Sequence, residues 1–290
     1  LGPFTYQARV APRLLPPDTE AETLRAWGLE GLDLMAAIGL NLNFDEQHMR
    51  PFYERVAAAI LEADPQAVIF IERALSVTSL FGTGEGLAGI WEDPMTHLEG
   101  VDHLVFAPHW YPDIYPNLGF NQPPRDFSAA EQAHRDYRPK LEEAAALAEY
   151  SLGRIPVVFG EFGTYFNFNG IEASREDDYR VSAHILDNYY EAFEAMFTSH
   201  IQWCYSPEND YDLGDLWNHE DFSVVDPDLE PRGEQAWARP HARFLAGKPI
   251  ATHYYSPLHY FDPDAWEVPA VGEFELRYGA RETHAPTEII

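Results

Sequence analysis

A chain of 290 residues, 46% of them hydrophobic, has enough apolar side chain for one large α/β domain, or a domain plus part of another, and this excludes disorder throughout. Its 48 acidic residues against 19 basic ones leave a formal charge of −29, with Lys140 and Lys248 the only lysines, so nucleic acid and anionic membranes are repelled. No apolar stretch approaches the roughly 20 residues that cross a bilayer, no leader is visible at Leu1, and a single cysteine, Cys204, excludes an internal disulfide or a multi-cysteine metal site.

From Asp45 to Asp64 the spacing predicts an amphipathic helix, capped by Asp45, with Phe52, Val56, Ile60 and Leu61 on one face. Ala67 to Glu72 is nearly all apolar and reads as a strand buried on both faces. A glycine-rich loop, Gly82 to Gly100, carries Trp91 and leads to a second apolar run, His103 to Ala107, that stops at Pro108. The pattern then repeats: a helix over Ala129–Tyr150, a strand over Ile155–Gly160, a helix over Arg175–Thr198, a strand over His200–Tyr205 and a helix near Glu234–Leu245. Strands alternating with long helices imply parallel βαβ units, and function in a βα barrel sits on the loops after the strands. Beyond Gly247 segments such as Ser256–Asp262 and Glu273–Tyr278 alternate apolar and polar residues, as the first strands of a β-sandwich would. The predicted division is a barrel over 1–247 and the beginning of a sandwich over 248–290.

Glu161 ends an apolar strand and is flanked by Gly160 and Gly163, which suit a sharp turn and close approach of a substrate. Such a carboxylate fits either an ordinary ion pair or one half of the carboxyl pair, about 5 Å apart, that cleaves a glycosidic bond with retention. His109, Trp110 and Tyr111 end the preceding strand, where imidazole and phenol can hydrogen-bond a carboxylate or a sugar hydroxyl and aromatic faces can stack on a pyranose. Trp203, on the strand after Glu161, fits both a sugar platform and a packed core tryptophan. Trp217 and Asn218 lie in a polar, turn-rich run that suits the rim of a site. Cys204 reads as a packing thiol, and the scattered histidines His97, His134 and His184 lack metal-ligand spacing.

The order His-x-Tyr, then Gly-Glu-Phe-Gly, then Trp on successive strand ends resembles glycoside hydrolase family 5, a (β/α)8 TIM-barrel family. The runs Gln202-Trp-Cys-Tyr-Ser-Pro-Glu-Asn-Asp210 and Gly214-Asp-Leu-Trp-Asn-His-Glu-Asp-Phe-Ser223 are similar to its endoglycoceramidase and glucosylceramidase branch, whose members also carry a C-terminal β-sandwich. The resemblance implies retaining hydrolysis of β-glycosidic bonds in glycolipids, with Glu161 as nucleophile, His109 and Tyr111 orienting it and Trp203 under the sugar. It implies no metal and no organic cofactor. A carbohydrate or glycolipid substrate is the expected partner, and the protein is expected to be soluble, whether secreted or cytoplasmic.

The chain departs from the family at the acid/base. The family's Asn-Glu-Pro follows Asp-Leu-Met, whereas this sequence has Leu32-Asp-Leu-Met-Ala-Ala-Ile-Gly39, placing Ala37 where the proton donor belongs. Loss of a general acid removes roughly 10²–10⁴-fold in rate, more with a poor leaving group. Glu72 and Glu208 are the nearest substitutes for the acid by sequence, Glu72 on the following strand and Glu208 in the loop after Trp203. Taking Leu32–Met35 as the fourth strand leaves too few residues before it for three βα units, so the expected barrel lacks them, and its uncovered edges favour self-association. A gene fragment, a pseudoenzyme that binds glycan without cleaving it and a deliberately altered chain all fit these departures. An unrelated barrel with a metal or phosphate site fits less well, since neither a phosphate loop nor clustered ligands occur.

Overall fold

Pro51, in the first turn of Arg50–Ala63, has no N–H to leave unpaired and a φ already set for a helix, and it opens the first helix, α1. The structure is a computed structural model and describes residues 45–72, 95–111, 127–168, 170–209, 221–258, 272–283 and 285–290. Leu32–Gly39 with Ala37, Trp91, and Trp217 with Asn218 lie outside these residues. Two compact units are formed, one from the described residues of 45–106 and 148–156, the other from 107–111, 127–147 and those from 157 onward.

In the first unit a π-helical turn, Asp45–Met49, runs into α1 where a cap at Asp45 was expected. Ala57 is the buried residue of α1, and Tyr53, one turn earlier on the same face, donates its hydroxyl to the Glu72 carbonyl at 2.7 Å. That face turns inward, so the expected inner residues Phe52, Val56 and Ile60 are exposed. β1 (Ile69–Ile71) pairs in parallel with β2 (Leu104–Phe106). β2 is buried throughout, but β1 is not buried on both faces: Phe70 is 55% exposed between buried Ile69 and Ile71.

Helix α2 (Phe127–Leu152) contains Pro139 and runs past both expected ends. In the second unit β3 (Val158–Phe162) pairs in parallel with β4 (Ser199–Gln202), with a register shift between Phe159 and Phe162. The helix expected between them is two helices, α3 (Ile171–Glu176) and α4 (Arg180–Met196). Asp178 and Tyr179 separate them with φ of 51° and 53°, in the left-handed region that a helix cannot use. Along α4, Ser182, Ile185, Leu186, Tyr189, Ala192 and Phe193 are buried at helical spacing, and Phe193 and Tyr189 pack on Phe162 of β3 with ring centres 4.8 and 5.1 Å away.

The helix expected near Glu234–Leu245 is only α5 (Glu234–Trp237), followed by the strand β5 (Ala242–Phe244). Pro240 explains the difference, because it lacks an N–H and pushes the preceding residue out of helical geometry. β5 pairs antiparallel with β8 (Glu288–Ile289), and β6 (Gly247–Tyr255) pairs antiparallel with β7 (Glu273–Ala280).

Arg239 joins these strands to α4. Its guanidinium donates from Nε to Glu194 Oε1 at 2.7 Å, from Nη1 to Asp187 and from Nη2 to the Tyr254 carbonyl at 3.1 Å, and it lies 4.7 Å from the Tyr254 ring centre. Glu194 Oε2 in turn accepts from Tyr254 N–H at 2.9 Å. Arg239→Met leaves the buried Asp187 and half-buried Glu194 carboxylates without their cation and is expected to destabilise the protein by about 3–5 kcal/mol, read as a lower urea midpoint.

His184 on α4 is buried, and its burial, with Arg180 nearby, pushes its pKa down to about 4. A depressed histidine stabilises the fold fully above its unfolded pKa, near 6.5, and the contribution is lost as pH falls toward 4. The span corresponds to about 3 kcal/mol. His184→Gln should therefore shift the acid-unfolding midpoint to lower pH; an unchanged midpoint would contradict the assignment.

Candidate active site

Parallel backbone pairing brings two strand ends together. Gly160 N–H donates to the Pro108 carbonyl and Trp110 N–H to the Glu161 carbonyl, each at 2.9 Å, which sets His109 opposite Glu161. Side chains alternate along such a segment, so residues 109 and 111 share a face while 110 takes the other. His109 Nδ1 lies 3.0 Å from Glu161 Oε2, and the Tyr111 hydroxyl donates to the same oxygen at 3.0 Å. Oε1 is the oxygen these two donors leave untouched. The Glu161 side chain is 23% exposed, so solvent or a ligand can reach it.

Trp110 does not join this cluster. Its ring packs edge-on against Tyr137 at 5.2 Å and Tyr189 at 5.5 Å, both buried helix residues, so it belongs to the packing behind the strand. The ring is half-buried in this packing and takes no part in the hydrogen bonds of His109 and Tyr111 to Glu161. Trp203 follows β4, with its N–H on the Phe162 carbonyl at 2.8 Å, and its side chain is 46% exposed beside the loop that leaves Glu161. It is a surface ring and not a core tryptophan. The Trp203–Cys204 peptide is cis, and Cys204 is only partly buried.

The two glycines beside Glu161 serve close packing instead of a sharp turn, since neither has a positive φ. A Cβ on Gly160 would lie 3.1 Å from the Ala107 carbonyl oxygen, and one on Gly163 would lie 2.5 Å from the Trp203 carbonyl oxygen. The second distance is a clash with backbone, so only glycine lets the Glu161 loop lie against Trp203.

Phe222 lies within the run Gly214–Ser223 that carries the resemblance, but no role is assigned to it from the sequence. It is buried, 5.6 Å edge-on to Tyr111 and 4.9 Å from Tyr165, behind the phenol that holds Glu161. Its role is not readable locally, because its ring partners Tyr111 and Tyr165 lie more than fifty residues away. Glu208, a candidate substitute acid, is exposed in the turn before Asn209, and Glu72 is held through its backbone by Tyr53. Among the described residues no group of three or more His, Cys, Asp or Glu side chains could hold a metal ion, and no helix is long and apolar enough to cross a membrane.

A carboxylate with one oxygen tied by two donors and the other open, beside an exposed indole, can act as an oriented nucleophile or as a hydrogen-bonding floor for a polyol. The chain is similar in sequence to two glucosylceramidases. It is 24% identical over 205 residues to a glucosylceramidase of Rhizopus delemar, covering 64% of this chain and 28% of that one. It is 30% identical over 139 residues to a glucosylceramidase of Cryptococcus neoformans, covering 42% and 18%. In structure it is similar to Cryptococcus neoformans sterylglucosidase 1, with a TM-score of 0.56 at 16% identity over 73% of this chain and 35% of that one, which shows the barrel fold. The chain thus spans about a third or less of the length of these relatives. The family model for cellulase, glycosyl hydrolase family 5, matches residues 23–209, and the chain belongs to that family.

Proposed function

We propose that this chain carries the nucleophile half of a retaining β-glycosidase site that takes a glycolipid, with Glu161 as the nucleophile. The observation that supports this best is the pair of donors, His109 Nδ1 and Tyr111 hydroxyl, both 3.0 Å from Glu161 Oε2. They hold one oxygen and aim the other. In the first step Glu161 Oε1 bonds to the anomeric carbon while the glycosidic oxygen leaves with the bonding pair; water later releases the sugar with the same configuration. Tyr111 and His109 hold the carboxylate in orientation, and Trp203 offers an apolar face to the ring C–H groups. A glycolipid is favoured because relatives matched over part of this chain are glucosylceramidases and a Saccharomyces cerevisiae ergosteryl-beta-glucosidase, the latter 37% identical over 95 residues.

The second reading is a site that binds the glycan and does not cut it. Ala37 favours it, since alanine stands where the family's proton donor belongs. The two readings differ in the leaving group they tolerate. A 2-deoxy-2-fluoro-β-glucosyl donor with a dinitrophenolate leaving group needs no acid, so a working nucleophile gives a stable adduct on the Glu161 peptide by mass spectrometry. Wild-type chain is expected to be labelled and Glu161→Gln to remain unlabelled. Binding of the donor without any adduct would sink the enzymatic reading and favour the second.

Tyr111→Phe removes a hydrogen bond to a charged group, worth about 1.5–3 kcal/mol, and should slow labelling by roughly 10–100-fold with little change in donor affinity. An unchanged labelling rate would remove Tyr111 from the proposed mechanism.

A further inference from the structure

Asp221 and Arg232 form an ion pair closed off from solvent, each side chain 1% exposed, with Arg232 Nη1 2.6 Å from Asp221 Oδ2. Enclosing two charges costs a large part of their hydration, and apolar side chains of similar volume often hold a fold as well. What such a pair offers is direction. Asp221 Oδ1 accepts from Asn209 Nδ2 at 3.0 Å and from Ser223 N–H at 3.2 Å, while the Asp221 carbonyl accepts from Phe166 N–H at 2.7 Å. Arg232 also donates from Nη2 to the Val225 carbonyl at 2.8 Å, and its guanidinium lies 5.6 Å from the ring centre of Phe166. One residue, Asp221, therefore ties together the turn after Trp203, the loop after Glu161 and the segment that leads to α5.

Phe222 is the next residue in the chain. Its carbonyl accepts from Cys204 N–H at 3.2 Å, its side chain is 3% exposed, and its ring meets Tyr111 edge-on. We infer that Asp221 and Arg232 are positioning residues of the candidate active site: by fixing Phe222 they hold the Tyr111 ring so that its hydroxyl stays on Glu161 Oε2. An apolar contact alone lets a ring slide along its neighbour, whereas three directional bonds on the Asp221 carboxylate fix the backbone from which Phe222 projects. The inference rests on the proposed role of Glu161 for its catalytic meaning, but the positioning itself can be read without catalysis.

The full chain with 3-fluorotyrosine at position 111 gives one ¹⁹F resonance that reports the phenol's surroundings. It is expected to move in Glu161→Gln, and to move or split in Asp221→Asn and in Phe222→Leu, each checked for folding by circular dichroism. Asn209→Ala removes one bond from the Asp221 carboxylate and carries the test, with the same expected movement, if Asp221→Asn does not fold. A resonance that responds to Glu161→Gln and is unchanged in every folded variant overturns the inference, as does one that ignores Glu161→Gln.

In the labelling reaction Asp221→Asn should slow adduct formation about tenfold in the wild-type background and less than about twofold in a Tyr111→Phe background, because the two changes act through one hydrogen bond. Equal slowing in both backgrounds makes the ion pair merely structural and overturns the inference. A chain that shows the ¹⁹F changes but takes no label supports the positioning and counts against the nucleophile reading alone.

Discussion

Two backbone hydrogen bonds, from Gly160 to Pro108 and from Trp110 to Glu161, decide where the chemistry of this molecule can lie. They set the register between the segment ending at Tyr111 and β3, and in a pleated pairing the register chooses which side chains meet. A slip of one residue would turn Glu161 toward the helix side, where Trp110 packs against Tyr137 and Tyr189. With the observed register His109 and Tyr111 fall on the same oxygen of one carboxylate. Gly160, with the Ala107 carbonyl 3.1 Å from where a Cβ would stand, keeps the two segments close enough for this.

Around that pairing the sheet is backed by aromatic rings instead of aliphatic side chains. Phe159, Phe162, Tyr189 and Phe193 interlock at centre distances between 4.8 and 6.1 Å on the helix side. Phe222 and Tyr165 do the same beyond the strand end. Rings are rigid and bury large areas with few rotatable bonds, so a wall of them fixes strand ends with little loss of side-chain freedom. Family 5 membership is shown over residues 23–209, and the fold likeness persists at 16% identity. This is what is expected when register and backing, more than individual surface residues, define the site.

His109, Tyr111 and Glu161 were legible in the sequence because each ends an apolar run, and the end of a parallel strand is where polar side chains reach a site. Strict alternation within His109-Trp110-Tyr111 would also have assigned Trp110 to the opposite side. The β3 and β4 segments were found within a few residues, while the long helix drawn over Arg175–Thr198 missed the left-handed pair Asp178 and Tyr179, neither of which is a glycine that would flag a break. β6 is not readable from the sequence because its partners in β7 run from Glu273, opposite Tyr255, to Ala280, opposite Gly247, and its alternation is weak, with five consecutive half-buried positions from Ala251 to Tyr255. Asp221 and Phe222 stand in a run that carries the family resemblance, but their roles, like that of Arg232, are not readable from the sequence. Their meaning is created by contacts with Asn209, Phe166 and Tyr111, and no spacing rule connects those positions.

The cluster at Arg239 bears on how modular this architecture is. A boundary drawn at residue 247 separates Arg239, Glu194 and Asp187 from the Tyr254 backbone and ring that complete their environment. The terminal strands are thus not an appended module with its own independent floor. They supply part of the wall around the buried Asp187 and half-buried Glu194 carboxylates of α4. Exchanging those strands between relatives would transplant half of an electrostatic cage, and a working chimera needs its junction placed ahead of Arg180, so that α4 travels with the strands it is wired to.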